Sequence, residues 1–232
     1  MRLSIIIPAH NEENNIEATI SSLESNLLMD YVIIVVDDHS TDTTKDLVKK
    51  IMQRFQNISL VENKNSPGFA NALRAGFLAV NTELFIPVMA DLCDEPRTIN
   101  EMYKKIQAGF DVVCGSRYMK GGKKIGGPLL KTFFSRFVGL TLHWLVGIPT
   151  VDIANSFKMY KKEVLDNIDI KARGFEISLE MCLKAYFLGY KITEIPTMWI
   201  DRKKGKSKFS MFRMAPAYIK LYLWAIFRSL LP

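Results

Sequence analysis

Three short polar clusters carry the residue types that do chemistry. The first holds Pro8, His10, Asn11 and Glu12, the second Asp37, Asp38, His39, Ser40 and Asp42, and the third Met89, Ala90, Asp91, Cys93, Asp94 and Glu95. Each directly follows a short apolar run, at 3–7, 31–36 and 84–88. Carboxylates gathered at one place repel one another unless something positive or hydrogen-bonding stands among them. A ribose and base offer hydroxyls and N–H groups to such carboxylates. A diphosphate brings a divalent cation, and Mg2+ takes one or two carboxylates together with phosphate oxygens. Helix capping is the competing use. It is open to Asp38, Ser40 and Asp42 ahead of a helix from residue 43, and to Asp94 ahead of the helix after it.

Basic residues complement these acids. Between Asp111 and Asp152 there is no acidic residue, yet Arg117, Lys120, Lys123, Lys124, Lys131 and Arg136 all fall there. A second run comprises Arg202, Lys203, Lys204, Lys206, Lys208 and Arg213.

The elements that must position these groups alternate between strand and helix in the first half. Helices are predicted over 12–27, with Ile16, Ile20, Leu23 and Leu27 on one face, and over 43–55 and 67–80, with a further short strand at 59–62. This alternation means βαβ units and a mostly parallel sheet flanked by helices, an α/β fold whose ligands lie at the carboxyl ends of the strands. The second half reads as a helix over 98–108, a strand over 112–114, a glycine- and lysine-rich loop over 121–127 and a helix over 129–145. A strand over 156–160, a helix over 176–188 closed by Gly189, a strand over 191–200 and an apolar helix over 217–230 follow. The expected organisation is one domain over 1–210 and a membrane-proximal C-terminal helix within 211–232.

The 232 residues, 48% hydrophobic and 24% charged, suit one globular domain. Cys93, Cys114 and Cys182 are dispersed, which argues against a zinc site or disulfide framework and for a reducing compartment. Residues 3–7 are too short an apolar stretch, closed by Pro8, for a secretory signal. No stretch reaches the roughly 18–20 apolar residues of a spanning helix. Residues 137–151 are uncharged but too few, and 214–231 are broken by Lys220 and Arg228. Basic runs beside apolar helices suit a membrane surface carrying anionic lipid, with Trp144, Tyr218, Tyr222 and Trp224 at headgroup level. Core packing or a dimer interface is the alternative for both helices. No nucleic-acid motif accompanies the charge, so no nucleic-acid partner is expected.

Residues 5–13 and 35–42 resemble the opening of the family-2 inverting glycosyltransferases, which have the GT-A fold. The stretches 67–77, 115–118, 152–158, 174–180 and 202–208 are similar to the dolichol-phosphate mannose synthase group and its bacterial polyprenyl-phosphate relatives. The resemblance implies that Pro8, His10 and Glu12 lie along the nucleotide, His10 standing where the family often has an aromatic residue. Val35 and Asp37 fall on the base and ribose side. Met89, Ala90 and Asp91 approach the sugar and diphosphate, with Asp91 on a divalent cation, Mg2+ or Mn2+. Arg117 lies between donor and acceptor phosphates, and Lys131 stands where relatives place an arginine for the lipid phosphate. Arg202 and Lys208 clamp the donor diphosphate. Glu176 and Glu180 belong either to the acceptor side or to an exposed helix face. The sequence departs from the family at Met89, where the first carboxylate of the metal motif is replaced by a thioether, a poor ligand for a hard cation. Lys131 keeps the charge but lacks the bidentate fork of arginine.

The resulting expectation is inverting transfer of mannose from GDP-mannose to dolichyl or polyprenyl phosphate, by a peripheral protein at the cytoplasmic side of a membrane, alone or through a membrane-protein partner. An acceptor phosphate is already anionic and needs cations, whereas a hydroxyl acceptor needs a carboxylate base. Two other readings stand beside it. One is transfer to a polysaccharide or lipopolysaccharide hydroxyl. The other is a nucleotide-sugar-binding subunit whose catalysis is weakened by Met89.

Overall fold

The structure is a computed structural model. It describes residues 1–202 and 211–231, with side chains at 211–213 left aside. A seven-stranded sheet has the order β3-β2-β1-β4-β7-β5-β8. Its strands are β1 (Leu3–Ala9), β2 (Tyr31–Asp37), β3 (Ile58–Glu62), β4 (Leu84–Pro87), β5 (Val112–Ser116), β7 (Lys158–Lys161) and β8 (Ile192–Pro196). All neighbours are parallel except β7, which runs antiparallel between β4 and β5. The mostly parallel α/β sheet expected from the sequence is therefore present.

The strands of the first half are apolar on both faces because each face is covered. Along β1 and β2 successive side chains alternate sides. Leu3, Ile5, Ile7, Ile33 and Val35 enter one apolar cluster, under helices α1 (Ile16–Asn26), α2 (Thr44–Met52) and α4 (Thr98–Gln107). Ile6, Ile34 and Val36 enter the other, under α3 (Phe69–Leu78), α7 (Ile177–Phe187) and α8 (Met211–Ser229). Gly76 lets α3 lie on β1, since a Cβ there would stand 2.4 Å from the Ile6 Cγ2.

Several boundaries differ from expectation. The first helix begins at Ile16, not at residue 12, because residues 10–15 form the site loop. The loop over 121–127 contains a short strand, β6 (Lys123–Ile125), paired in parallel with β9 (Met198–Ile200). The single strand expected over 191–200 is thus two strands in two sheets. They part at Thr197, whose amide donates to the Ser116 carbonyl (3.0 Å) and whose carbonyl accepts from the Lys123 amide (3.0 Å). A short helix, α6 (Lys162–Asn167), follows β7 where none was expected. The last helix starts at Met211, before residue 217, and continues through Pro216.

Helix α5 (Leu129–Val146) stops at Gly147, whose φ of 84° suits a residue without a Cβ. On its inner side Gly139 meets the backbone of Val151, whose carbonyl oxygen lies 2.0 Å from where a Cβ would stand. Helix α8 closes on the same core through the fully buried Ala225. Among the described residues no helix is long and apolar enough to cross a membrane.

Candidate active site

Parallel β1, β2 and β4 all end at one edge of the sheet, which brings the three polar clusters together. The end of β5 delivers Arg117 to that edge, and the residues leading into antiparallel β7 deliver Asp152. The chain leaving β9 delivers Arg202. After each of β1, β2 and β4 a non-glycine residue occupies the left-handed region: Asn11 (φ 55°), His39 (φ 59°) and Leu92 (φ 60°). Side chains rarely adopt this conformation, and for leucine it costs energy that packing elsewhere must offset. The three tight turns keep the clusters short and close to the strand ends.

The first two loops are tied to each other. The Asn11 amide donates to Ser40 Oγ (3.1 Å), the Glu12 amide to Thr44 Oγ1 (2.9 Å), and the Thr41 amide to Asn11 Oδ1 (2.8 Å). Ser40 thus supports the neighbouring loop, while Asp42 accepts from the Thr44 amide (3.0 Å) in a capping role. Asp38 is structural as well. Its carboxylate accepts from the Gly68 amide (2.9 Å) and from Asn63 Nδ2 (2.7 Å), fixing the entry to α3. The His10 ring is held by its Nδ1 on the Asp38 carbonyl (2.5 Å), an arrangement in which the imidazole donates. Asp37 is buried at the end of β2, and Oδ1 receives a long contact from the Ser40 amide (3.4 Å). Pro8 lies in β1 opposite Val36, and the Val35 side chain is wholly inside the core, so at the crevice Val35 offers only backbone.

In the third cluster Ala90 is buried and its carbonyl accepts from Thr19 Oγ1 (3.1 Å), while Met89 is half-buried. Asp91 Oδ1 accepts from the Cys93 amide (3.2 Å), and Oδ2 pairs with Arg202 Nη2 at 2.6 Å. The same guanidinium reaches Glu12 Oε1 at 3.7 Å. Arg202 therefore bridges the first and third clusters, with both partners less than a sixth exposed. Cys93 is buried, and burial together with the charge of Asp91 pushes its thiol well up. Lys208, expected to share the clamp with Arg202, lies outside the described residues, as do Lys203, Lys204 and Lys206.

Arg117 sits in a bidentate pair with Asp152. Nε donates to Oδ2 at 2.7 Å and Nη2 to Oδ1 at 2.8 Å, and the Arg117 amide adds a third bond to Oδ2 at 2.9 Å. The Arg117 side chain is 11% exposed and that of Asp152 0%. Burial works against the guanidinium charge, but Asp152 outweighs it and holds the proton more firmly than usual. The guanidinium also lies over the Tyr118 ring at 5.1 Å. Lys124 and Lys131 are half-buried, and burial lowers both pKa values. Lys124 is further lowered by Arg117 and Lys131, and Lys131 by Arg202. The four cations are thus electrostatic neighbours. Lys124 is fixed by Thr132 Oγ1 (2.6 Å) and the Trp199 ring (4.9 Å).

Glu176 and Glu180 are buried, not on an exposed face. Glu176 accepts from the amides of Arg173 (2.9 Å) and Gly174 (3.0 Å), and Glu180 from that of Lys171 (3.0 Å) and from Lys184 Nζ (2.7 Å). They hold the loop before α7, and Phe175 of that loop stacks on Phe69 at 4.5 Å.

Two members of the site have no role of their own from the sequence: Asp152 lies within the 152–158 stretch and Lys124 within the first basic run. Asp94 belongs to the third polar cluster, with helix capping as the competing use, and α4 begins at Thr98 with no side-chain cap. Its Oδ1 is instead buried without a partner among the described residues. Burial first, then the charge of Asp91, pushes its carboxyl up to about 7, against the lowering pull of Arg117. A carboxyl raised in the folded state binds more protons there than in the unfolded chain, so stability falls as pH rises from about 4 to about 7. Asp94→Asn should therefore raise the melting temperature by several degrees at pH 8 and hardly at pH 4. Thermal scans at the two pH values, without added metal, check this, and an equal shift at both would contradict it.

A cavity of about 640 Å³ opens beside Arg2, Asp30, Glu83 and Tyr103, at the amino ends of the strands. It carries none of this constellation, so concavity alone would send a search to the wrong edge. Among the described residues no group of three or more His, Cys, Asp or Glu side chains could hold a metal ion. The orphaned Asp94 oxygen beside Asp91 nevertheless fits one divalent cation that takes its remaining oxygens from phosphate and water.

This sheet order, with clustered carboxylates at the carboxyl edge, is the GT-A glycosyltransferase architecture. Glucosyl-3-phosphoglycerate synthase from Mycobacterium tuberculosis, in complex with Mn2+, UDP and glucosyl-3-phosphoglycerate, superposes with a TM-score of 0.72 at 18% identity, over 100% of this chain and 81% of that one. The family model for glycosyl transferase family 2 matches residues 4–169, and the chain belongs to that family. Among its relatives are the dolichol-phosphate mannosyltransferase of Pyrococcus furiosus, 29% identical over 90% of this chain, and the polyprenol monophosphomannose synthase of Mycolicibacterium smegmatis, 26% identical over 97%. The chain spans 59% of the length of the first and 87% of the second.

Proposed function

We propose that the protein transfers a sugar, with mannose from GDP-mannose as the expected donor, to a polyprenyl or dolichyl phosphate at a membrane surface. The observation that carries this reading is Arg117, a buried guanidinium clamped by Asp152 beside Lys124 and Lys131, facing the edge where Asp91 and Arg202 meet. Two anionic reactants must be brought together, and fixed cations do this without reorganising during the reaction. The acceptor phosphate is its own nucleophile. Arg117 and Lys131 hold it, and the outer faces of Asp37, His10 and Glu12 lie along the nucleotide. Arg202 stabilises the leaving diphosphate. Asp91 would hold a divalent cation, which supplies positive charge to the diphosphate. The relatives named for transfer to polyprenyl phosphates support the acceptor class.

The lipid tail requires an apolar neighbour. On α5, Leu129 (87%), Phe133, Phe137 and Trp144 (80%) are exposed, as are Ile219, Leu223 and Phe227 on α8 and Leu230 (74%) just after it. A patch of this composition on two helices that pack together, with Arg136, Lys220 and Arg228 among them, suits the interface of an anionic bilayer. Each residue contributes about 1.5–3 kcal/mol on leaving water. The double variant Trp144→Glu, Phe227→Glu should lose vesicle binding by on the order of a hundredfold, read by co-sedimentation with phosphatidylglycerol vesicles. Unchanged binding would remove this patch from the proposal.

The decisive test of the function is a donor screen. Release of nucleoside diphosphate is measured for GDP-mannose, UDP-glucose and UDP-N-acetylglucosamine, with Mn2+, with and without undecaprenyl phosphate. The expected result is release from GDP-mannose that depends on the lipid phosphate. Release that depends instead on an added oligosaccharide would overturn the acceptor, and release from no donor would favour a binding subunit.

A further inference from the structure

Met89 leaves the cation motif one carboxylate short, and Asp94 offers a buried carboxylate oxygen, Oδ1, with no partner among the described residues. Asp94 lies three residues beyond Asp91, across the left-handed turn at Leu92. Its position is set by backbone pairing. It forms an antiparallel bridge with Trp199, and the Ile200 amide donates to the Cys93 carbonyl at 2.9 Å. The same strand, β9, leads directly to Arg202, which reaches Asp91. The loop that carries Asp91 and Asp94 is therefore locked to the strand that carries the competing cation.

Asp94 as a residue is half-buried, but its Oδ1 is buried and has no hydrogen-bond partner among the described residues. An unsatisfied buried carboxylate oxygen is expensive, and proteins retain one where a ligand completes it. The neighbouring guanidinium, Arg117, is engaged in two bonds to Asp152. Asp91 and Asp94 repel each other, so the space they share favours positive charge. On Asp91 that charge is supplied by Arg202 in the structure. Hard divalent cations choose oxygen over thioether sulfur, which leaves Met89 out and brings Asp94 in.

Building on the proposed function, we propose that Asp94 supplies the second carboxylate oxygen of the divalent-cation site, replacing the carboxylate that Met89 lacks. Asp91 and Asp94 then hold the cation from the protein side. When the nucleotide brings the cation, Arg202 gives up the Asp91 oxygen and turns to the diphosphate.

The test is Mn2+ binding, read from the electron paramagnetic resonance signal of free Mn2+, in the presence of GDP and without acceptor. Four proteins are compared: wild type, Asp94→Asn, Met89→Asp, and the double variant Met89→Asp, Asp94→Asn. Asp94→Asn is isosteric and removes a buried charge, so it folds. Its affinity for Mn2+ should fall by on the order of tenfold, because ligand charge sets cation affinity. Met89→Asp should bind more tightly than wild type, and the double variant should recover wild-type affinity. Equal affinity in wild type and Asp94→Asn would overturn the assignment while leaving the proposed function intact. A slower transfer with unchanged Mn2+ affinity would also overturn it and give Asp94 to the acceptor. A wild-type protein that binds no Mn2+ with GDP would overturn both this assignment and the cation in the proposed function.

Discussion

Asp91→Asn leaves the fold intact and lowers sugar transfer by on the order of a thousandfold. The amide keeps the shape of the carboxylate and can still accept from the Cys93 amide, but it weakens a largely buried pair with Arg202, which keeps Glu12 at 3.7 Å, so the melting temperature should fall by a few degrees. What disappears is one negative charge at the place where the proposed function puts a cation and a diphosphate. With Met89 beside it, the motif has no other carboxylate at its start to compensate. Kinetics of nucleoside diphosphate release at saturating donor, alongside a thermal scan, separate the two effects. Transfer within a few-fold of wild type would mean that Arg202 alone neutralises the leaving group. The donor site would then be built on cationic side chains and not on a cation-binding carboxylate.

Asp152→Asn is expected to damage both stability and transfer. Removing one partner of a buried pair leaves the other uncompensated, which costs about 3–5 kcal/mol. For a chain of this length that corresponds to a drop of roughly 10 °C in melting temperature. The exposed pair of Arg2 and Asp30, 3.3 Å apart with both side chains largely in solvent, is the internal comparison, and Asp30→Asn should change stability by less than about 1 kcal/mol. The two variants remove the same charge from the same residue type, so the difference between them measures burial. Arg117→Lys completes the series. It keeps a cation at the proposed acceptor edge but cannot make the fork, and it should lose transfer more than stability. Wild-type stability in Asp152→Asn would mean that the guanidinium swings into solvent, and its place in the acceptor pocket would have to be abandoned.

Much of this arrangement is legible in the amino-acid sequence. The β-branched runs ending at residues 7, 36 and 88 announce strands, and the polar clusters after them announce the ligand edge. What the sequence hides is non-local. Nothing in residues 158–161 says that β7 inserts antiparallel between β4 and β5, yet that insertion carries Asp152 to Arg117, 35 positions away in the chain. One signal was present, since Asp152 is the acid that ends a long acid-free stretch containing Arg117. The break at Thr197 had one signal, Pro196, which has no N–H to continue a ladder, and the hydrogen bonds of Thr197 to Ser116 and Lys123 complete the division. Asp94 reads from the sequence both as a member of the third polar cluster and as a helix cap, and only the buried, unpartnered Oδ1 and the uncapped start of α4 speak against the cap. Glu176 and Glu180 show the converse: motif residues that look exposed and chemical turn out to brace a loop.

Gly139 ties these levels together mechanically. With no side chain between them, α5 and the backbone of Val151 and Asp152 are in direct contact. Helix α5 carries Phe133, Phe137 and Trp144 on its outer side, and Asp152 carries Arg117 on the inner side. In the proposed membrane-bound state, the depth to which these aromatic side chains sink would set the height of the guanidinium above the bilayer, and α5 would act as a depth gauge for the reactive edge.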